Sequence, residues 1–466
     1  MTASILPESG SLYYIVEWLI RLAMLVMVPL RRTPEATRSW LLLIFFLPLP
    51  GLLLYLAIGR PRFPLWRAAR FKQTLALITD TVQRLPLIAN PPSVASLAYA
   101  LGGLPAVEGN AVTFLDDYDG MIDRLIEDID HAQAHVRILV YIFADDATGR
   151  RVAAALARAV ARGLSVHVLV DPVGSRPWMK ATLNMLRAQG IQVREALPLH
   201  WLRDRTRRDM RNHRKLFLID GIIGYAGSQN IVDKDFRPGI ENRELVARVE
   251  GPVVAEMTAT FLSDWFLETE AMLADSIAIP SSAGAATAQI LPSGANYPLQ
   301  GFQTVLVRQL QRATRRVIIT SPYFIPDEGL LGAMRTAVMS GVHVDLIVSA
   351  VVDQRLVSLA QRSYYDDLLR SGISIHLFRN YLLHAKNVSI DGEIAIIGSS
   401  NVDMRSFQLN EEVSLLLFDR QSIATLERIQ SAYIANSDPL QLDSWQRRSR
   451  GQKVAENIAR LVSPLL

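Results

Sequence analysis

The 466-residue chain has no cysteine and only 8 histidines. The first absence excludes disulfides, thiolate nucleophiles and thiolate metal sites. It leaves the compartment open, since a cysteine-free chain is stable on either side of a membrane. Charge is also sparse, at 20% of residues against 50% hydrophobic, and much of that apolar excess sits near the start of the chain. The formal net charge of +4 suits anionic partners, either lipid headgroups or nucleic acid, without choosing between them. The length exceeds one ordinary domain and predicts two or three units.

Residues 12–30 form an apolar run broken only by Glu17 and Arg21, and residues 40–58 form a second. Each approaches the roughly 20 residues that cross a hydrocarbon core of about 30 Å. Glu17 and Arg21 are four apart, so a helix lets them neutralise each other. Pro48, Pro50 and Gly51 interrupt the second run and allow a kinked span or a re-entrant hairpin. A cleavable signal peptide fits poorly, because there is no basic start, no small-residue cleavage site, and a second run follows. We therefore expect a membrane hairpin over 1–60. Arg31, Arg32 and Arg38 in its loop, with Arg60, Arg62, Arg67, Arg70 and Lys72 after it, favour a cytoplasmic catalytic part at a cell inner (cytoplasmic) membrane, multi-pass. Over 61–108, Trp66, Phe71 and Leu75 among these bases predict interfacial or linker helices.

From residue 109 the pattern becomes an alternation of strand and helix. A helical stripe at Met121, Leu125, Ile129 and Ala132 precedes a buried strand over 136–143, an Ala-rich helix over 149–162 and a strand over 164–170. The same order returns as strand 316–324, helix 329–340 and strand 342–348. This predicts an α/β fold of two similar halves, 109–275 and 288–440, joined by a Ser-, Ala- and Pro-rich linker over 276–287. A C-terminal amphipathic helix over 441–466 places Val454, Ile458, Leu461 and Val462 on one face, docked on the domain or lying at the membrane.

Each half carries one constellation. His213, Lys215 and Asp220 precede Gly227, Ser228 and Asn230; His384, Lys386 and Asp391 precede Gly398, Ser399 and Asn401. The internal spacings are identical. A strand would point His213 and Lys215 to one face. Joined halves then offer two imidazoles, two ammoniums and neutral donors (Ser228, Asn230, Ser399, Asn401) to a single phosphate, with no carboxylate where the anion sits. One imidazole can attack phosphorus while the other protonates the leaving oxygen, one neutral and one charged near neutral pH. The lysines supply the charge that a metal would, so neither metal nor cofactor is expected. Asp220 and Asp391, the last members of the catalytic motif, close strand–turn junctions and are read as structural. Glu244 and Glu412 open the strand after each motif and are assigned to orient the imidazoles.

These residues resemble the phospholipase D superfamily, whose signature is the doubled His-x-Lys-x4-Asp. Within it they resemble the bacterial cardiolipin synthase branch, through Arg-Asn-His-Arg-Lys at 211–215, Ser-Pro-Tyr-Phe-Ile-Pro-Asp at 321–327 and Asn-Val-Asp-Met-Arg-Ser-Phe-Gln-Leu-Asn-Glu-Glu at 401–412. The paired apolar runs and the Ser-Pro-Leu-Leu end at 463–466 are similar too. The resemblance implies two phospholipase D-like halves about a pseudo-two-fold axis with the site between them. It implies metal-independent transfer of a phosphatidyl group from one phosphatidylglycerol to another through a phosphohistidine, with His213 as nucleophile and His384 as acid/base. Asn387 stands where that branch often has Thr, and Gly227-Ser228 where it often has Gly-Gly.

Transfer to water, as in a phospholipase D-type hydrolase or a nuclease, is the alternative; a lipid-binding scaffold needs neither histidine. The apolar runs favour lipid over nucleic acid, and no strand-binding aromatic platform stands out. His131, His135, His167, His343 and His376 read as ordinary structure, and His200 beside Trp201 is less clear. Arg203, Arg205, Arg207, Arg208 and Arg211 could gather anionic headgroups, and Tyr323 could reach the cleft.

Overall fold

A computed structural model describes residues 9–59, 63–199, 209–274 and 276–462. His200, Trp201, Arg203, Arg205, Arg207, Arg208, Arg60, Arg62 and the 463–466 end lie outside the described residues.

One continuous sheet of 15 strands forms the body. The first half contributes a parallel trio, His135–Val140, Ser165–Val170 and Gln192–Glu195. Beside it run the antiparallel hairpin Leu216–Ile219 and Ile223–Gly227, then Val246–Glu250 and Val107–Leu115. The second half repeats this order. Arg316–Thr320, His343–Ser349 and Ser374–Phe378 form the trio, followed by Asn387–Ile390, Ile394–Gly398, Glu412–Leu417 and Ala286–Ser293. The halves meet where Val107–Leu115 runs antiparallel to Ala286–Ser293, its equivalent. Antiparallel pairing of equivalent strands is what a two-fold axis through the sheet produces.

Local chemistry is duplicated as well. Asp146 accepts from the Gly149 N–H at 2.8 Å and Asp327 from the Leu330 N–H at 2.9 Å, capping the equivalent helices Ala147–Ala161 and Glu328–Met339. Val136, Ile138 and Val140 face a core shared with the Ala147–Ala161 helix, while Leu139 faces the core of helix Val253–Thr269. Burial on both sides explains the unbroken apolar strand. The strands expected over 136–143 and 316–324 end sooner, at Val140 and Thr320, and Phe324–Ile325 forms a separate ribbon with Val402–Asp403. Strand Ala286–Ser293 begins inside the stretch expected as linker.

At the N-terminus the second apolar run divides into helices Pro34–Phe46 and Pro48–Ile58. Pro48 forces Leu47 out of the helical region (φ −133°, ψ 74°). Gly51 lets the two helices close: a Cβ there would lie 2.9 Å from Ile44 Cγ1. Trp40 meets Tyr55 edge-on at 5.2 Å, and Arg21 pairs with Glu17 at 3.2 Å on helix Ser9–Met27. No helix among the described residues is long and apolar enough to cross a membrane. The unit's outer surface nevertheless exposes Leu19, Leu22, Val26, Phe46, Leu53 and Leu56.

The helix Leu65–Arg84, expected as interfacial or linker, packs on Val253–Thr269. Arg67, counted among the membrane-flanking bases, is 1% exposed and paired with Glu268 at 2.7 Å; Arg70 donates to the Leu267 carbonyl at 2.7 Å. Buried partners outcompete a lipid surface for these two side chains. The C-terminal helix Arg450–Val462 docks with its polar side, through Glu456 to Arg362 (3.1 Å) and Arg448 and through Arg460 to Asp367 (3.3 Å). Val454, Ile458 and Leu461 are left exposed.

Candidate active site

Both histidines lie in extended segments just before a hairpin rather than within it: strand Leu216–Ile219 follows Lys215, and strand Asn387–Ile390 follows Lys386. Each segment pairs with the opposite half. The His213 N–H donates to the Glu411 carbonyl at 2.9 Å and the His384 N–H to the Arg243 carbonyl at 2.7 Å. This backbone crossing sets each imidazole beside the other half's glutamate. His213 Nδ1 lies 3.0 Å from both Glu412 oxygens, and His384 Nδ1 lies 2.7 Å from Glu244 Oε1. Spacing within one chain gave no hint of this exchange of partners. With a carboxylate on each Nδ1, the Nδ1–H tautomer is fixed and both Nε2 lone pairs are free for chemistry.

The glutamates reach this position because their strands pass close to the glycines of the Gly-Ser-x-Asn segments. A Cβ on Gly227 would lie 2.4 Å from the Leu245 carbonyl oxygen, and one on Gly398 2.3 Å from that of Val413. The serines that follow point at these same strands. Ser399 Oγ donates to Glu412 and accepts from the Val413 N–H at 3.0 Å; Ser228 Oγ accepts from the Leu245 N–H at 3.1 Å. Ser228 and Ser399, expected to bind phosphate, lie instead behind the carboxylates. Each strand ends at its glycine, so the alternation that would have put serine and asparagine on one face stops there.

His213, His384, Asn230 and Asn401 line a single cavity of about 320 Å³. Asn230 Oδ1 accepts from the Ile142 N–H at 3.1 Å, which leaves its amide donors for a ligand. Lys215 and Lys386 lie behind the wall, donating to their own histidines' carbonyls at 2.7 and 2.5 Å. Tyr141 flanks His213 (4.8 Å between rings) and Tyr323 flanks His384 (6.4 Å). Arg211, Arg237 and Arg405 also line the cavity, Arg211 from a fully buried position. One carboxylate, Asp403, also lines the cavity, against the expectation of none. It caps helix Met404–Gln408 through the Ser406 N–H at 2.7 Å, and burial pushes its carboxyl upward, towards the neutral form.

Several lining residues were not singled out from the sequence, among them Tyr141, Arg237, Gln354, Asn242 and Asn410. For the two asparagines the signal was present, since Asn-x-Glu occurs at both Asn242-Arg243-Glu244 and Asn410-Glu411-Glu412. Asp220 and Asp391 stand apart from the cavity. Asp220 accepts from the N–H groups of Gln133, Ala134 and His135 at 2.7–2.9 Å, and Asp391 from those of Thr314, Arg315 and Arg316 at 2.7–2.9 Å. Both adopt left-handed backbone (φ 55°) before a left-handed glycine, as a tight hairpin turn requires.

Electrostatics differ from the expected neutral-and-charged imidazole pair. Burial pushes both His213 and His384 down to about 4, against the pull of their glutamates. Burial also lowers Lys215 to about 7 and Lys386 to about 8. Burial alone would raise Glu244 and Glu412, but histidine and lysine partners outweigh it and hold both below the usual carboxylate range. Both imidazoles are thus neutral at pH 7. An entering phosphodiester anion favours protonation of one of them.

A family model described as "Cardiolipin synthase, PLD-like domain" matches residues 125–265 and 306–433, once in each half; "Phospholipase_D-nuclease N-terminal" matches 18–60. Cardiolipin synthase A of Pectobacterium carotovorum subsp. carotovorum is 34% identical over 456 residues, covering 94% of each chain. The Salmonella arizonae enzyme of the same name is 33% identical over 482 residues, covering 97% of this chain and 99% of its own. Among solved structures, phosphatidylserine synthase of Haemophilus influenzae Rd KW20 superposes with a TM-score of 0.61 over 85% of this chain and 100% of its own, at 16% identity, a likeness of fold.

Proposed function

The chain belongs to the family of phospholipase D-like cardiolipin synthases, and from that premise we propose that it moves a phosphatidyl group from one phosphatidylglycerol to another, releasing glycerol. The observation that carries the reading is one cavity with two imidazoles, each held at Nδ1 by a carboxylate from the opposite half.

His213 Nε2 attacks phosphorus while the P–O bond to glycerol breaks, and protonated His384 gives its Nε2 proton to the departing oxygen. The resulting phosphohistidine is cationic on its ring, and the Glu412 carboxylate neutralises it. Glycerol leaves. The terminal hydroxyl of a second phosphatidylglycerol then gives its proton to neutral His384 as its oxygen attacks phosphorus and the P–N bond breaks. His213 returns to the neutral form and His384 to the protonated form, so the cycle closes without a net proton. Asn230 and Asn401 supply neutral donors to the phosphoryl oxygens, and Lys386, mostly protonated at pH 7, with partly protonated Lys215, makes the site's potential more positive. Incubating detergent-solubilised protein with phosphatidylglycerol tests the reading. Equal amounts of cardiolipin and glycerol are expected, whereas phosphatidic acid as the main product would make the enzyme a hydrolase.

The exposed apolar side chains of residues 12–56 support a place in the bilayer. Helices of 13 and 11 residues reach only about 20 and 16 Å at 1.5 Å per residue, less than a bilayer core of about 30 Å. A hairpin that enters and leaves one face of an inner membrane fits these lengths. Val454, Ile458 and Leu461, outward on a helix docked by its charges, give a second lipid contact. Replacing all three with Ser is expected to leave thermal unfolding in detergent unchanged and to lower flotation with phosphatidylglycerol vesicles several-fold. Undiminished flotation would remove this helix from the membrane contact.

A further inference from the structure

The duplication provides an internal control for a surface far from the cavity. In the second half, Asp345 is 2% exposed at the centre of a group of basic side chains. It accepts from Arg316 at 2.8–2.9 Å and meets His376 Nε2 at 2.8 Å and His343 Nε2 at 3.1 Å. The strand registers identify its counterpart in the first half. Val136 pairs with Val166 as Val317 pairs with Val344, so the residue after each, His167 and Asp345, is equivalent. By the same registers His135 stands for Arg316 and Arg194 for His376. The first half therefore keeps basic side chains at two of the three partner positions, has Ser165 where the second half has His343, and replaces the central carboxylate with a histidine; burial lowers both His135 and His167 to about 4, so they stand there as neutral imidazoles.

A further cation is added there. Arg137, the direct register partner of His167, is 7% exposed, and among the described residues it makes no hydrogen bond or ion pair. Alternation places His135, Arg137, His167 and Arg194 on one face of the sheet, the face on which Trp265 of helix Val253–Thr269 meets His167 at 4.8 Å. Nearby carboxylates are committed elsewhere. Asp220 holds three backbone N–H groups, Asp264 is bound to Arg214, and Glu268 is bound to Arg67. Glu195 alternates to the opposite face. Burial lowers Arg137 to about 10, which leaves it cationic at neutral pH. A cation this buried without a counter-charge is costly unless an anion completes it.

We propose that His135, Arg137, His167 and Arg194 form a second anion site, for a phosphate-type oxyanion, in the place that Asp345 fills from within in the other half. The ligand is a free phosphate or the headgroup of an anionic phospholipid, and Arg137 is the residue that holds it. Arg194, exposed beside Gln192 along the first half's edge strand, is the member of the site that faces solvent.

The test uses the full chain in detergent, with two ligands at constant ionic strength: inorganic phosphate against chloride, and phosphatidylglycerol against phosphatidylcholine in mixed micelles. Wild type is expected to gain melting temperature with one or both anions. A gain with inorganic phosphate identifies a free oxyanion, and a gain with phosphatidylglycerol alone identifies a headgroup. His167→Asp installs the carboxylate of the second half. It is expected to raise the melting temperature without ligand, to lose at least half of the anion-dependent gain, and to keep wild-type inhibition of phosphatidyl transfer by phosphate, which reports on the catalytic cavity. Arg137→Met should lose the same part of the gain. No anion-dependent gain in wild type, or a full gain retained in both variants, overturns the proposal.

Discussion

His213→Ala is expected to lower phosphatidyl transfer by a factor on the order of 10³ or more, the scale on which loss of a nucleophile acts, while the protein stays folded. His384→Ala is expected to be similarly impaired in turnover yet still to form the covalent intermediate slowly, detectable as label from phosphatidylglycerol retained at His213. Equal labelling of the His213→Ala variant would reverse the two roles. The exchanged glutamates make a finer prediction. Each carboxylate raises the pKa of the imidazole it touches, so removing it lowers that pKa further. Glu412→Gln should therefore shift the acidic limb of the kcat/KM profile, set by a nucleophile that must be neutral, to lower pH. Glu244→Gln should shift the alkaline limb, set by an acid that must be protonated, to lower pH. If each glutamate served the histidine of its own half, the two limbs would exchange.

How far the sequence discloses this arrangement depends on whether a feature is local. The two halves, the order of their strands and the turns at Asp220 and Asp391 follow from alternation and short motifs, and the structure carries each of them. Both histidines and both site asparagines were legible because the motif is written twice at one spacing. The exchange of glutamates was not legible, since it arises from backbone pairing between distant segments: His213 and Glu412 are 199 apart in the chain, and Glu244 and His384 are 140 apart. The serines were misplaced for a related reason, as period-two reasoning fails once a strand has ended. Hydropathy marked the N-terminal runs as apolar and Pro48 marked the break in the second, but neither showed that the two resulting helices pack as a pair with apolar side chains turned outward. His167 read as an ordinary strand residue because its meaning comes only from comparison with Asp345, a comparison that needs the register.

Arg214→Ala is expected to cost the fold about 3–5 kcal/mol, the scale for breaking a buried ion pair from one side. Arg214 stands between the two motif residues His213 and Lys215 and is 1% exposed. Its guanidinium binds Asp264 at 2.5 and 2.7 Å and Glu411 at 2.8 Å, and donates to the Glu412 carbonyl at 2.9 Å and the Ser293 carbonyl at 3.2 Å. Asp264 belongs to the first half and the other partners to the second, so one side chain ties the halves directly behind the site. The second motif has Ala385 in its place, so the duplication does not repeat this tie. Alanine would strand two buried carboxylates. Burial already pushes Glu411 up to about 7 even with Arg214 opposing it, so without the cation the carboxyl rises further and takes a proton. A folded-state pKa raised above the unfolded value stabilises at low pH and is lost as pH rises through it. The variant's deficit relative to wild type should therefore be smaller near pH 5 and larger near pH 8. Arg214→Ala combined with Asp264→Asn and Glu411→Gln should recover much of the loss, because no buried charge is left unpaired. Thermal unfolding in detergent across that pH range checks both statements. A melting temperature for Arg214→Ala within a degree or two of wild type at pH 8 would mean that this buried cluster does not hold the halves together.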